Sequence, residues 1–280
     1  ALPSRVESEG KLPEGSHNVK DFFLIAKRFS SLHPFPAAGE PHPMTWSIVA
    51  KDPATGHFGV AIATRFFAVG ALCPHGRGGV GALATQALMN PLYGFRGLRM
   101  LEDDIPAEQV VAALTAADEG RDQRQLHVID RHGRNFAWTG PACVDWCGHV
   151  LADGVSVAGN MLAGPAVVAD TLAAYQANSD QPFAERLIRA LEAGEAAGGD
   201  KRGKQSAALK IWTTEEYPIL DLRVDDHADP LAELRRLWDV AHERYIPFSG
   251  AFATRDNPAG ITSRPDIDRM IEDFLAKRGR

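Results

Sequence analysis

At 280 residues, 45% hydrophobic and 24% charged, the chain is long enough to bury one sizeable core with appendages. A net charge of −6 with His neutral, and the lack of a basic run, argue against nucleic acid or an anionic membrane surface as partners. Three cysteines make no disulfide framework, and the apolar run at 22–26 is too short to cross a bilayer, so the expectation is a cytoplasmic protein without a membrane partner.

Residues 1–44 are polar and hold Pro3, Pro13, Pro34, Pro36, Pro41 and Pro43. They read as an N-terminal arm or pro-segment, with a short amphipathic helix at 17–30 and an extended stretch at 33–43, where the prolines forbid helix. A strand is expected at 45–50, a turn at 51–57 and a second strand at 58–64, together a hairpin. The glycine-rich segment 77–81 leads into a strand at 82–87. Asn90-Pro91 opens a helix to 102, and Pro106 opens another to 117. A loop at 120–124 precedes a hairpin of 125–129 with 135–138. A short strand at 155–158 is followed by helices at 165–177 and 182–193. A glycine-rich turn at 198–204 leads to strands at 205–212 and 220–224.

The order is strands, two helices, strands, two helices, strands. It points to an α/β (α+β) domain over 45–225, with two antiparallel sheets between helical layers. Residues 226–280 read as a helical extension. Its first helix carries Leu231, Leu234, Leu237, Trp238 and Ala241 on one side, with Asp229 as cap.

The chemistry centres on Met44-Thr45. If the chain is cut between them, Thr45 gains a free α-amine beside its own hydroxyl. The amine serves as base and the hydroxyl as nucleophile, with no His needed. An α-amine titrates near ~8, so a useful fraction is neutral at pH 7. The plain alternative is an ordinary strand Thr, since β-branched residues favour strands. Two routes expose the amine: removal of Met44 if translation starts there, or attack by Thr45 on its own preceding peptide. Ser47 shares the strand face and is the runner-up nucleophile; its alternative is a cross-strand hydrogen bond.

Several polar residues are candidates for the walls of such a site. Arg65 ends the partner strand, where a guanidinium holds a substrate carboxylate or depresses the amine pKa; the alternative is a surface Arg. Asn90 offers an amide N–H to an oxyanion, against a role as helix cap. Asn160, after Gly159, has the same possible role, and Gln86 belongs to the same cleft. Asp200, Arg202 and Gln205 suit a polar substrate or a plain ion-paired turn, and Arg77 is a further carboxylate clamp. From the arginines, the expected substrate is small and anionic. Cys143, Cys147 and His149 suggest a zinc hydrolase, but the spacing lacks a fourth ligand, so no metal and no cofactor are expected.

The segments TWSIVA (45–50), ATRFFAVGA (63–71), GVGALATQALMNP (79–91), GRDQRQ (120–125), GNMLAG (159–164) and AGGDKRGKQSAA (197–208) carry a resemblance. In this order they resemble the Ntn-hydrolase-like family catalogued as domain of unknown function 1028. The resemblance implies a four-layer αββα sandwich of the N-terminal nucleophile (Ntn) hydrolases. It also implies Thr45 as the nucleophile of an amidohydrolase acting on non-peptide C–N bonds. The other reading is a binding or structural module that keeps the fold without the chemistry. The arm and the C-terminal helices suggest a homodimer or higher homo-oligomer.

Overall fold

The computed structural model of the chain describes residues 45–199 and 203–279. The expected arm, with its helix at 17–30, and the candidates Asp200 and Arg202 lie outside the described residues.

Strand β1 (Thr45–Lys51) is buried on both faces except at Lys51. It forms the expected hairpin with β2 (Phe58–Thr64), in a register running from Thr45 opposite Thr64 to Lys51 opposite Phe58. The turn closes on Asp52, whose carbonyl accepts from Gly56 N at 2.8 Å and whose carboxylate accepts from Thr55 Oγ1 at 2.6 Å. Gly56 has φ 76°, a conformation that glycine adopts without a Cβ penalty.

Four more strands complete a six-stranded antiparallel sheet: β7 (Trp146–Ala152), β8 (Val155–Leu162), β9 (Ser206–Trp212) and β10 (Leu220–Val224). Its order is β10-β9-β2-β1-β8-β7, so β1 lies at its centre. A second sheet, also antiparallel, runs β3-β4-β5-β6, with β3 (Pro74–Arg77), β4 (Gly81–Ala87), β5 (Arg124–Asp130) and β6 (Asn135–Thr139).

Period-two alternation on β1 sends its side chains two ways. Trp46, Ile48 and Ala50 join a core with Val167, Leu187 and Leu191. These last come from helices α3 (Ala166–Ala177) and α4 (Phe183–Ala196). On the other face Val49, with Val60 of β2, packs against Ala82, Ala84 and Ile129 of the second sheet. Beyond that sheet, Leu83, Leu126 and Val128 meet Leu101, Val110 and Leu114 of helices α1 (Leu92–Glu102) and α2 (Ala107–Ala116). Each fully buried aliphatic side chain contributes about 1.5–3 kcal/mol, so these contacts dominate the stability of the fold. The helices sit close because of small residues: a Cβ on Gly59 would lie 2.5 Å from Leu187 Cδ1.

The expected extension at 226–280 divides in two. Helix α5 (Pro230–Ala241) is capped by Asp229, which accepts from Ala232 N at 3.3 Å, and its Leu231, Leu234 and Ala241 belong to the main core. Helices α6 (Tyr245–Ser249) and α7 (Arg264–Lys277) enclose a small cluster of Ala251, Ile267 and Ile271 instead. No helix among the described residues is long and apolar enough to cross a membrane.

Helix α6 is an addition to the sequence expectation, and three strands also differ from it. Strands β3 and β7 are additional: β3 reads PHGR and β7 is a half-exposed edge, so neither has a strong strand pattern. Strand β8 continues past residue 158 to Leu162, which carries Asn160 into the sheet.

Candidate active site

The space between the two sheets is zoned. One end is apolar and the other is polar. At the polar end a row runs across four strands: Asn160 on β8, Thr45 on β1, Thr64 on β2 and Ser206 on β9. Directly paired residues share a face, so all four turn toward the second sheet. The matching row on that sheet is Gln86, Gln125 and Thr139.

Hydrogen bonds tie the two rows together, and their polarity is set by backbone carbonyls. Gln125 Nε2 lies 3.0 Å from Gly148 O and 2.9 Å from Gly159 O, which accept only. Gln125 Oε1 therefore accepts, from Gln86 Nε2 at 2.7 Å and Asn160 Nδ2 at 3.1 Å. Gln86 Oε1 then accepts from Ser47 Oγ at 2.6 Å. With its proton so engaged, Ser47 Oγ accepts from His127 Nε2 at 2.8 Å, and His127 Nδ1 accepts from Ser156 Oγ at 3.0 Å. The imidazole is wholly buried; burial, reinforced by the nearby His149, pushes its pKa down to about 3 and keeps it neutral at pH 7. Ser47 thus donates to an amide and faces a ring nitrogen that already carries a hydrogen. It has no base, and in place of the expected cross-strand hydrogen bond it makes hydrogen bonds to the facing sheet.

Thr45 is different. It is 7% exposed, and its Oγ1 lies 2.8 Å from Thr64 Oγ1. Both line a cavity of about 450 Å³. Phe66, Val69, Cys73, Gln86, Ala87, Leu88, Met89 and Met161 form the rest of its wall. Two wall residues, Ala87 and Met161, hold left-handed backbone with φ of 64° and 56°. For a residue with a Cβ this costs roughly 1–2 kcal/mol, and such strain clusters at functional sites. Burial pushes the Cys73 thiol up to about 12, so it serves as an unreactive apolar surface.

Asn160 stands opposite Thr45 and is 1% exposed. Gln125 holds its amide nitrogen, while its Oδ1 finds no hydrogen-bond partner among the described residues. A buried acceptor left so costs about 1–3 kcal/mol, which asks for a reason.

Of the residues singled out in the sequence, Thr45, Gln86 and Asn160 come together. Ser47 joins them through its hydrogen bond to Gln86 Oε1, whereas Arg77, Asn90 and Gln205 are engaged elsewhere. Arg65 is exposed and follows Thr64, so the register sets a hydroxyl, not a guanidinium, against Thr45. Arg77 is at the far end of β3 from Cys73 and pairs with Glu102 at 2.7 Å. Asn90 lies just before α1, accepts from Leu92 N at 3.1 Å, and gives its amide to Asp118 Oδ2 at 3.1 Å. Gln205 donates to Asp226 Oδ1 at 3.1 Å. His149 Nδ1 lies 2.9 Å from Thr139 Oγ1, and no group of three or more His, Cys, Asp or Glu gathers as a metal cluster among the described residues. The residues that the sequence reading missed are Thr64, Gln125, His127, Thr139 and Ser156. Their one signal is alternation: polar residues at every second position of β5, as in Gln125 and His127.

Residues 45–234 match the model of the Family of unknown function (DUF1028). The chain is also similar to a solved structure, protein SPO2555 from Silicibacter pomeroyi, itself described as family-model DUF1028. The two are 33% identical, with a TM-score of 0.73, and the likeness covers 79% of this chain and 100% of that one. No curated protein matches the chain.

Proposed function

The chain belongs to that family of unknown function. We propose that it is an Ntn-type hydrolase whose Thr45 opens the C–N bond of a small amide. The observation that carries the proposal is the place of Thr45: first residue of the central strand, nearly buried, with its hydroxyl on the wall of a ligand-sized cavity. Two facing sheets, each with a helix pair on its outer side, support the finer reading of a four-layer αββα sandwich.

The reaction needs the chain to begin at Thr45. Thr45 Oγ1 then attacks the amide carbon while the α-amine takes its proton. The tetrahedral intermediate collapses as that proton passes to the departing nitrogen, the C–N bond breaks, and an ester on Thr45 remains. Water attacks the ester with the same amine as base, releasing a carboxylic acid and restoring the threonine. Thr64 Oγ1 orients the nucleophile through its hydrogen bond. Asn160 takes a different part from the oxyanion donor expected of it: its Oδ1, which has no partner among the described residues, is the acceptor that holds the freed α-amine in place. A low-dielectric site disfavours the charged amine, which favours the neutral form that acts as base.

Thr45→Ala tests the reading. In a screen of small amides it should lower turnover by ~10³-fold or more, about 4 kcal/mol of barrier, while the circular dichroism spectrum stays that of wild type. Turnover equal to wild type removes Thr45 as nucleophile.

A further inference from the structure

We infer that the Thr45 cavity takes a neutral, apolar acyl group, not the anionic substrate that the arginines suggested. The inference rests on the hydrolase reading only for the fate of the ligand; the recognition itself is argued from the wall.

Polar side chains enter the wall from Thr45, Thr64 and Gln86, and Thr45 and Thr64 are direct partners in the strand register. Thr45 and Thr64 bond each other, and Gln86 is engaged by Ser47 and Gln125. The side chains of the other wall residues are hydrocarbon and sulfur. Among the described residues it includes no charged side chain. A carboxylate seated there gives up hydration with no cation on the wall to offset the loss. An acyl chain instead gains about 0.8 kcal/mol for each methylene removed from water. The polar end carries the nucleophile, so a neutral amide placed at Thr45 directs its acyl chain along the apolar part.

Sulfur makes that part adaptable. Cys73 Sγ lies 3.6 Å from Met89 Sδ, and Met161 adds a second thioether to the wall. Unbranched, polarisable thioethers follow a ligand of irregular shape, which suits a range of chain lengths. The mouth continues the same chemistry. Phe66 and Leu88 belong to the wall and are also largely exposed, as is Phe67, next to Phe66 in the chain. Large exposed apolar side chains gathered at a cavity mouth mark a binding surface. Together these features describe a site for medium-chain or aryl acyl amides, with the carbonyl at Thr45 and the chain toward Phe66 and Leu88.

The test is equilibrium binding to the full chain, read by titration calorimetry. Octanamide is compared with suberamate, of the same length but ending in a carboxylate. Octanamide should bind at least ten-fold more tightly. Met89→Glu should weaken octanamide at least ten-fold and narrow the preference. Equal or tighter binding of suberamate to wild type overturns the inference, and so does failure of both ligands to bind; neither result depends on whether the variant folds. Because binding is read before any turnover, the two readings fail separately. A chain that binds octanamide and hydrolyses no amide loses the hydrolase reading and keeps this one. A chain that hydrolyses suberamate in preference to octanamide does the reverse.

Discussion

His127 shares the Ser47 hydroxyl with Gln86 and has Ser156 on its other nitrogen, so both ring positions are used in the neutral state. A proton added to Nδ1 would displace the Ser156 hydrogen bond and set a charge between two sheets. The folded-state pKa, about 3, is below the ordinary 6.5. The unfolded ring therefore takes up a proton below 6.5 that the folded ring refuses. This contribution is complete above pH 6.5 and is lost as pH falls toward 3, with a slope that approaches about 1.4 kcal/mol per pH unit. Urea unfolding of wild type and His127→Gln at pH 7, 5.5 and 4.5 reads it, since other titrating groups cancel in the difference. The stability advantage of wild type should shrink as pH falls. A difference that is the same at all three pH values would contradict a neutral buried ring.

The last residue of β4 and the segment joining it to α1 carry three of the cavity residues, Ala87, Leu88 and Met89. This stretch is anchored by Asp118, in the loop after α2, and by Arg124, the first residue of β5. The Asp118 carboxylate accepts from Tyr93 OH at 2.7 Å, Asn90 Nδ2 at 3.1 Å, Gly120 N at 2.8 Å and Arg124 Nε at 3.2 Å. These donors, Tyr93 first, hold the carboxyl well below the usual carboxylate range. Arg124 in turn reaches the carbonyl oxygens of Leu88 and Met89. Asp118 and Arg124 thus act together as a clamp on one cavity wall. Asp118→Ala leaves the Tyr93 hydroxyl, the Asn90 amide and the Arg124 guanidinium to find new partners. The expected loss is about 1–3 kcal/mol of stability. Amide hydrogen exchange at residues 87–90 should also speed up, because local protection depends on this anchor. Unchanged exchange there would show that the wall is held by the strand alone.

At the scale of the whole molecule, two sheets face each other across an interface that is apolar at one end and hydrogen-bonded at the other. Much of the frame is legible in the sequence. The β1–β2 hairpin reads to within one residue because two short apolar runs flank Asp52 to Gly56, which is strong turn chemistry. The helix pairs read because each of their four helices follows a proline. The polar zone was hidden for a physical reason. Gln125 and His127 alternate with Leu126 and Val128, which in a one-sided sheet means a solvent face. Only the pairing of two sheets buries that face, and no local pattern announces it. Arg77, Asn90 and Gln205 misled in the opposite sense. Their residue types suit a site, but Glu102, Asp118 and Asp226, distant in sequence, engage them. Asn160 was recognised by type, yet its meaning came from register, once β8 ran on past residue 158 to set it against Thr45. The central claim joins this architecture to one peptide bond, and mass spectrometry tests it most directly. Catalytically active protein is quenched in acid during turnover of an amide, and intact and peptide masses are read. The account predicts a chain beginning at Thr45 with the acyl group on that residue. An active chain in which the Met44–Thr45 bond is intact would contradict it.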